Sequence, residues 1–86
     1  MPPSLGRIVH YTLSDYDAAA ITQRRKDDST VANLVCGGQV FPAIVVRVFG
    51  GTTINLKVFL DGDDTYWATS RVEGADQGTW CWPPRV

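Results

Sequence analysis

Residues 40–72 read VFPAIVVRVFGGTTINLKVFLDGDDTYWATSRV, and this stretch carries the clearest strand pattern of the chain. It holds three runs rich in β-branched and aromatic residues, which favour extended backbone. Two short segments with turn chemistry, Gly50-Gly51 and Asp61 to Asp64, separate the runs. The pattern predicts three consecutive antiparallel strands over residues 40–49, 53–60 and 65–72.

The run from Thr53 to Leu60 alternates so regularly that it predicts one buried and one open face. The inward positions are Ile54, Leu56, Val58 and Leu60, and the outward positions are Asn55, Lys57 and Phe59. A three-residue loop, Gly62 to Asp64, matches these faces to the next strand. The predicted pairs are Leu60–Tyr66, Phe59–Trp67, Val58–Ala68, Lys57–Thr69, Asn55–Arg71 and Ile54–Val72.

The run from Val40 to Phe49 carries apolar residues on both faces, which predicts a strand covered on both sides. Pro42 has no N–H to donate, so we expect either an interrupted ladder there or a strand that begins after it.

Two further strands and one helix complete the prediction. Gly6 to Leu13 alternates as a strand, and Thr79 to Trp82 forms a last short strand that ends at Pro83-Pro84. Between them Ser14, with Asp17 three residues on, predicts a helix N-terminus with a capping box. The helix is expected over residues 15–26 with a thin apolar face of Tyr16, Ala19 and Ala20, and residues 27–39 are expected to form a loop.

Five short strands with one helix predict a mainly β fold. The expected architecture is a small five-stranded SH3-like barrel with one short N-terminal helix inserted after the first strand. Residues 1–86 are expected to form a single small β-barrel domain, because 86 residues supply one modest core.

Composition narrows the classes of partner. Eight Lys+Arg against nine Asp+Glu give a net charge of −1, so nucleic acid is a poor partner for a chain that cannot release many counterions. The longest apolar run, Ala43 to Val46, is too short to cross a bilayer, and no signal peptide is visible, so no membrane partner is expected. The short Pro-rich ends, Pro2-Pro3 and Pro83-Pro84, are expected to gain order only along a partner.

The evidence in the sequence for a catalytic or metal-binding set of residues is weak. Cys36 and Cys81 are expected to be reduced, although one bridge between them stays open. A nucleophilic pair of His10 with either cysteine has no readable orienting acid. Neither zinc on these residues nor calcium on Asp61, Asp63 and Asp64 has the required ligand spacing, so no metal, no cofactor and no catalytic residue is predicted, and the chain is not expected to be an enzyme.

The outward face of the second hairpin is the candidate site. It combines Phe59 and Trp67 with Lys57 and Arg71; Arg47, Trp80 and Trp82 are candidates to join it. Aromatic and cationic side chains together suit either a protein-binding hot spot or a site that stacks a nucleotide base and holds its phosphate. A third interpretation is that the helix covers this face.

Several strings carry a resemblance to known sequences. They are Gly6 to Tyr11, Leu13-Ser14 with Asp17-Ala18, Ile21, Arg24-Arg25, Val40 to Arg47, Asn55-Leu56, Val58 to Gly62, Asp64, Trp67 to Ser70 and Gly78 to Val86. The chain thereby resembles a family of small proteins of tailed bacteriophages and prophages. Residues 27–39 depart from the longer members, and Asp63 and Cys81 are often other residues there. The resemblance implies a phage or prophage origin and brings no catalytic assignment.

The expected function is therefore a phage-encoded, non-enzymatic protein-binding module. Its most concrete form is an accessory virion protein, either a capsid decoration or cement protein or a small head or tail component. It would be made in the host cytoplasm and located in the virion, with a phage structural protein or a second copy of itself as partner. The alternative is an anti-defence protein that sequesters a nucleotide immune signal or inhibits a host defence enzyme.

Overall fold

A computed structural model describes residues 1–26 and 31–84. The elements are β1 (Ile8–Thr12), α1 (Asp15–Arg25), β2 (Val40–Gly50), β3 (Thr53–Phe59), β4 (Thr65–Arg71) and β5 (Trp80–Cys81). The strands form one antiparallel sheet in the order β4-β3-β2-β1-β5. The mainly β class and the helix after the first strand are confirmed.

The sheet is not closed into a barrel. β4 and β5 stand at opposite ends of the strand order, and no ladder joins them in the described residues. A single parallel bridge between Glu73 and Trp80 connects the continuation of β4 to β5. The fold is therefore an open, bent sheet in which the two edges approach each other at one point.

One face of the sheet, the inner face, holds the core under α1. The fully or nearly fully buried apolar side chains are Val9, Tyr11, Leu13, Ile21, Ala43, Val45, Ile54, Leu56, Val58, Leu60, Ala68 and Trp80. All four inward positions predicted for the middle strand are among them. The strict alternation held because each of these side chains would lose its burial if the strand slipped by one residue.

The helix begins where the sequence predicted but buries a different face. Ser14 accepts a hydrogen bond from the Asp17 backbone N–H, and the Asp17 carboxylate accepts one from the Ser14 N–H, which confirms the capping box. The predicted apolar face is wrong, because Tyr16 and Ala19 are exposed while Asp17, Ala18 and Ile21 are buried. The helix ends at Arg25, one residue before the predicted end.

Coverage of β2 on both faces is wrong. Ala43 and Val45 are buried, but Val46, Val48 and Phe49 are exposed, because this end of the β2–β3 hairpin extends past the core. A tight turn forms here, but at Gly51-Thr52, one residue later than predicted, because Gly50 still pairs with Thr53; Gly51 lies in the left-handed region at φ 54°. Pro42 lies within the strand, opposite His10, and the β2–β3 ladder has its last pair at Ala43–Val58. Pro42 is tolerated because the ladder stops where its nitrogen would have to donate.

The predicted register of β3 against β4 is wrong by two residues. The observed pairs are Val58–Tyr66, Lys57–Trp67 and Leu56–Ala68, and the Leu60 N–H donates to Asp64 O at 3.1 Å. A shift of two leaves every side chain on its predicted face up to Ala68, since side chains alternate with a period of two. The loop keeps its predicted length of three residues but starts one residue earlier, at residues 61–63, and contacts with residues 31–32 hold it there: Gly62 bridges Ala32, and the Asp63 N–H donates to Val31 O.

The predicted loop contains this bridging segment. Residues 31–39 form neither a helix nor a strand, apart from the Ala32–Gly62 bridge, whereas residues 27–30 lie outside the described part of the chain. Cys36 and Cys81 are both free thiols. α1, the single helix of the described residues, is too short and too polar to span a lipid bilayer.

The expectation that the N-terminal arm lacks order of its own is wrong. Pro3 is buried, the Gly6 N–H donates to Val45 O at 2.8 Å, and the Trp82 indole donates to Met1 O at 3.2 Å. The Arg7 guanidinium lies 5.2 Å from the centre of the Trp82 ring. The two ends of the chain therefore stabilise each other without a partner.

Candidate functional site

The face of the sheet opposite the core, the outer face, carries a row of side chains across four strands. Trp67 on β4 pairs with Lys57 on β3, Lys57 with Ile44 on β2, and Ile44 with Ile8 on β1. Trp67 is 62% exposed and Ile8 49% exposed, while Ile44 is half-buried. The row places an aromatic, a cationic and two aliphatic groups side by side on an uncovered surface.

Phe59 begins a second row on the same face. It pairs with Thr65 on β4, and the β2–β3 register continued by one residue places it beside Pro42. Pro42 pairs with His10, and His10 with Cys81 on β5. Phe59 and Pro42 are exposed, so the apolar surface of the first row continues into the second.

The helix does not cover these rows. α1 packs on the inner face, where its buried residues Asp17, Ala18 and Ile21 point toward the sheet. The interpretation in which the helix hides Trp67 is therefore contradicted. Lys57, Phe59 and Trp67 lie together and in the open, as the sequence predicted, although their exact cross-strand partners differ.

Arg47 also lies on the outer face, opposite Asn55. Its guanidinium is 5.2 Å from the centre of the Phe49 ring, which holds it over the protruding hairpin. Asn55 is buried although it points outward, because its Oδ1 accepts the Ser70 N–H at 2.7 Å. Arg47 therefore belongs to the same face but stands at its far end.

Arg71 was predicted beside Asn55 on the outer face, and this is wrong. A β-bulge interrupts the β3–β4 ladder between Leu56 and Ile54, so that Arg71 pairs with Ile54 on the inner face. Ser70 takes up the extra residue in the left-handed region at φ 55°. One additional residue turns every later side chain to the opposite face, which also leaves Val72 exposed instead of buried.

Because of the bulge, the Arg71 side chain reaches the buried carboxylate of Asp17. Asp17 Oδ1 accepts hydrogen bonds from Arg71 Nη2 at 2.8 Å and from the Tyr66 hydroxyl at 2.9 Å, while Oδ2 accepts from the Tyr11 hydroxyl and the Ser14 N–H. Asp17 is fully buried. The cluster ties α1 to β1 and β4, and four donors satisfy the carboxylate.

These contacts shift the ionisation of the cluster. Burial by itself would raise the pKa of Asp17, but the hydrogen bonds from Ser14, Tyr11 and Tyr66 and the charge of Arg71 outweigh it, so the pKa is lowered. Burial, followed by the bond to the Asp17 carboxylate, raises the pKa of Tyr11 and of Tyr66. The folded chain thus favours an ionised aspartate between two neutral tyrosines.

We expect stability to fall at both ends of the pH scale. The stabilisation from Asp17 is present above its unfolded pKa of 3.8 and is lost as pH falls through the lower folded value. The stabilisation from Tyr11 and Tyr66 is present below their unfolded pKa of 10.0 and is lost as pH rises through the higher folded values. Urea unfolding midpoints measured across pH test this.

Two tyrosine variants test whether the buried Tyr11 hydroxyl contributes to the loss of stability at high pH. Tyr11→Phe should reduce the alkaline loss, because one of the two buried hydroxyls is gone. Tyr16→Phe removes a hydroxyl from an exposed tyrosine of α1 and should leave the alkaline limb as in the wild type. Equal alkaline limbs in the wild type and Tyr11→Phe would contradict the assignment.

The other two predicted tryptophans do not lie on the outer face. Trp80 is fully buried and its indole donates to Thr52 O at 2.9 Å. Trp82 packs edge-on against it with ring centres 5.5 Å apart and carries Arg7 over its ring. Trp80 therefore belongs to the core, and Trp82 packs against Trp80 and against the N-terminal segment.

The histidine, the cysteines and the turn aspartates, considered above for catalysis or metal binding, lie in different parts of the fold. His10 and Cys81 are cross-strand partners on the outer face, whereas Cys36 lies in the loop before β2. The Asp64 carboxylate accepts from Arg24 and from Arg25, and the Asp61 carboxylate from Asn33, so the turn acids bind the helix end and the loop. In residues 1–26 and 31–84 no three His, Cys, Asp or Glu side chains converge, and no pocket is present.

Sequence reasoning missed the Asp17 cluster as a set. The available signal was the capping box, which fixes Asp17 at the first turn, directly after a strand whose inward residues include Tyr11. The contribution of Arg71 had no local signal, because a bulge at Ser70 brings it inward.

Comparisons with known proteins add no relative. No protein-family model, no curated protein and no solved structure matches this chain.

Proposed function

We propose that this chain is a phage-encoded, non-enzymatic protein-binding module that acts through its outer face. In its most concrete form it is an accessory virion protein, a capsid decoration or cement protein or a small head or tail component. The phage origin is supported by the sequence strings that resemble small proteins of tailed phages. The binding role is supported by the exposed outer face.

The observation that carries the proposal is the row from Trp67 through Lys57 and Ile44 to Ile8. The row carries exposed or half-buried apolar side chains on β4, β2 and β1 with one lysine between them, and clustered exposed apolar groups are typical of interaction sites. Tryptophan is the residue type most enriched among binding hot spots, and Trp67 stands here with Phe59 nearby and one cation beside it. A net charge of −1 provides little long-range steering, so buried aromatic area would dominate affinity.

We further propose that the open sheet closes toward an SH3-like barrel in solution. The Glu73–Trp80 bridge supports this, together with the Gly74 N–H bond to Trp80 O at 2.9 Å. Slow hydrogen exchange at the Gly74 amide would show that the two edges stay in contact, as closure requires, and exchange as fast as in an unfolded peptide would contradict closure.

We expect Trp67→Ala and Phe59→Ala each to weaken binding to phage particles by about 1–3 kcal/mol, because each removes exposed aromatic area from the outer face. The measurement is rebinding of purified protein to particles that lack it. Tyr16→Ala is the matched control, since it removes an aromatic ring that is even more exposed than Trp67 or Phe59, but from α1 on the other side of the sheet. Equal losses in all three variants would contradict a role for the outer face.

A panel of signalling nucleotides forms the second arm of this experiment. A nucleotide site was expected to use Arg71, which now faces Asp17 on the inner face and leaves Lys57 as the cation beside Trp67. Particle rebinding that Trp67→Ala and Phe59→Ala abolish supports the virion role. Micromolar nucleotide binding without particle association would replace it with the anti-defence role.

A further inference from the structure

Within residues 1–26 and 31–84 the sheet has one open edge, the side of β4 that faces away from β3; the contact with β5 involves only residues 72–74 and leaves this edge free. The opposite edge is occupied, because the Trp80 N–H of β5 donates to Val72 O at 3.2 Å and Trp80 O accepts the Gly74 N–H. β4 has no strand partner on its far side in the described residues. An unpaired edge presents backbone donors and acceptors to any matching strand.

The register identifies which backbone groups point outward. The Leu60 N–H bond to Asp64 O turns residue 64 toward β3, and alternation then turns residues 66 and 68 toward β3 as well. Thr65, Trp67 and Thr69 therefore direct their N–H and C=O groups away from the sheet. Thr65 O accepts from Arg24 Nη1 at 3.0 Å, which agrees with this direction. No described residue bonds to the backbone of Trp67 or Thr69.

The usual protections of an edge strand are missing here. Residues 65–70 contain no charged residue and no proline, and the bulge lies at Ser70, beyond the outward-directed triplet. Trp67, Thr69 and Ser70 are exposed. The edge thus carries no charged side chain of its own over the three residues that matter for pairing; it is exposed at Trp67 and Thr69, whereas Thr65 is half-buried and bonded to Arg24.

We propose that β4 pairs antiparallel with β4 of a second copy of this chain, about a twofold axis at Trp67. The outward triplet reads Thr65, Trp67, Thr69, which is the same in both directions. Antiparallel pairing therefore places Trp67 opposite Trp67 and each Thr65 opposite Thr69 of the other copy. Aromatic pairs and threonine pairs are both favourable across strands.

This register pairs more of the outward backbone N–H and C=O groups of β4 than a shifted register does. All three residues of the triplet exchange bonds with the other copy, whereas a shift of two residues would lose one of the three pairs and bring either the bulge or the turn at Asp63 into the interface. Arg24 leaves a second lone pair on Thr65 O. Because no charge lies within residues 65–70, no like charges meet at the axis. The interface is isologous and closed, as a twofold requires.

The dimer needs no second kind of protein, so it goes beyond the proposed function and stands or falls separately from it. Pairing would extend the sheet across the axis and join the two outer faces into one. Its test is made on the purified chain alone.

The main test introduces like or opposite charges at the twofold axis. Trp67→Lys and Trp67→Glu should each weaken self-association by about tenfold or more, because two like charges then stand directly opposite. An equal mixture of the two variants should restore dimers, which sedimentation or light scattering at matched concentration measures. Phe59→Lys, which puts a charge on β3 away from the edge, should dimerise as the wild type does. A monomeric wild type, or a mixture as monomeric as its components, overturns the proposal.

Two backbone measurements check the edge itself. Thr69→Pro removes an outward N–H that β3 does not use and should weaken dimerisation, while Thr69→Val keeps that N–H and should not. Amide exchange at Trp67 and Thr69 should slow as protein concentration rises. Dimers that persist in Thr69→Pro together with concentration-independent exchange at both amides would place the contact elsewhere. Loss of particle binding in Phe59→Lys with dimers intact would separate the outer-face role from this one.

Discussion

Replacing Asp17 with alanine should destabilise the fold by about 3–5 kcal/mol, because the change leaves the half-buried Arg71 guanidinium without its counter-charge. Arg71 Nη2 has this carboxylate as its partner at 2.8 Å, and the Tyr11 and Tyr66 hydroxyls lose their acceptor at the same time. A domain of 86 residues has a total stability of about 4–13 kcal/mol. We therefore expect a chain that is marginally folded or unfolded at room temperature, as measured by urea unfolding.

Two comparisons separate the ion pair from the helix start. Asp15→Ala removes an exposed acid from the same first turn and should cost only about 0.3–1 kcal/mol through the helix dipole. Asp17→Ala combined with Arg71→Ala should be less destabilised than the sum of the two single variants, since no unpaired charge remains. Additive losses would show that Asp17 and Arg71 do not interact.

Val58→Asp should unfold the domain. Val58 is fully buried on β3 between Ala43 of β2 and Tyr66 of β4, so the new carboxylate would be desolvated among apolar groups. An unpaired buried ion costs several kcal/mol even after the structure relaxes, and the lost apolar packing adds to that cost. Circular dichroism and thermal melting at neutral pH provide the measurement.

Lys57→Asp is the matched control on the same strand. Lys57 is adjacent in sequence but exposed on the outer face, so the same new side chain there should change stability by less than about 1 kcal/mol. Similar melting temperatures for Val58→Asp and the wild type would mean that the inner face is not the core. The pair of variants thus tests the face assignment on which the outer-face proposal depends.

The strands, their faces and the helix start could be predicted from the sequence. Ile54, Leu56, Val58 and Leu60 recur every second residue, and burial of one face is the only arrangement that removes all four from water. Ser14 and Asp17 fix the helix start through hydrogen bonds made within three residues. These features are local in sequence, so composition and spacing determine them.

The partners across the sheet required the tertiary structure. The predicted β3–β4 register failed by two residues because the loop lies one residue earlier than predicted, and the local sequence does not reveal that Ala32 bridges Gly62 and that Arg24 and Arg25 bind Asp64. The helix was assigned an apolar face from alanines and Tyr16, but the buried anchor is Asp17. A charged residue is buried only where distant residues supply its partners, and the sequence does not show which ones will.

Arg71 is the clearest example of a residue whose position depends on the tertiary structure and not on the local sequence. Its residue type and strand position predicted an outward cation beside Asn55, and only the bulge at Ser70 turned it inward to Asp17. That bulge is stabilised by the Ser70 N–H bond to Asn55 and by an ion pair between residues 54 positions apart. The residue pattern is enough to predict which segments form strands and which faces of those strands are apolar. Which charges meet and which edge stays open depend instead on contacts between residues far apart in the chain.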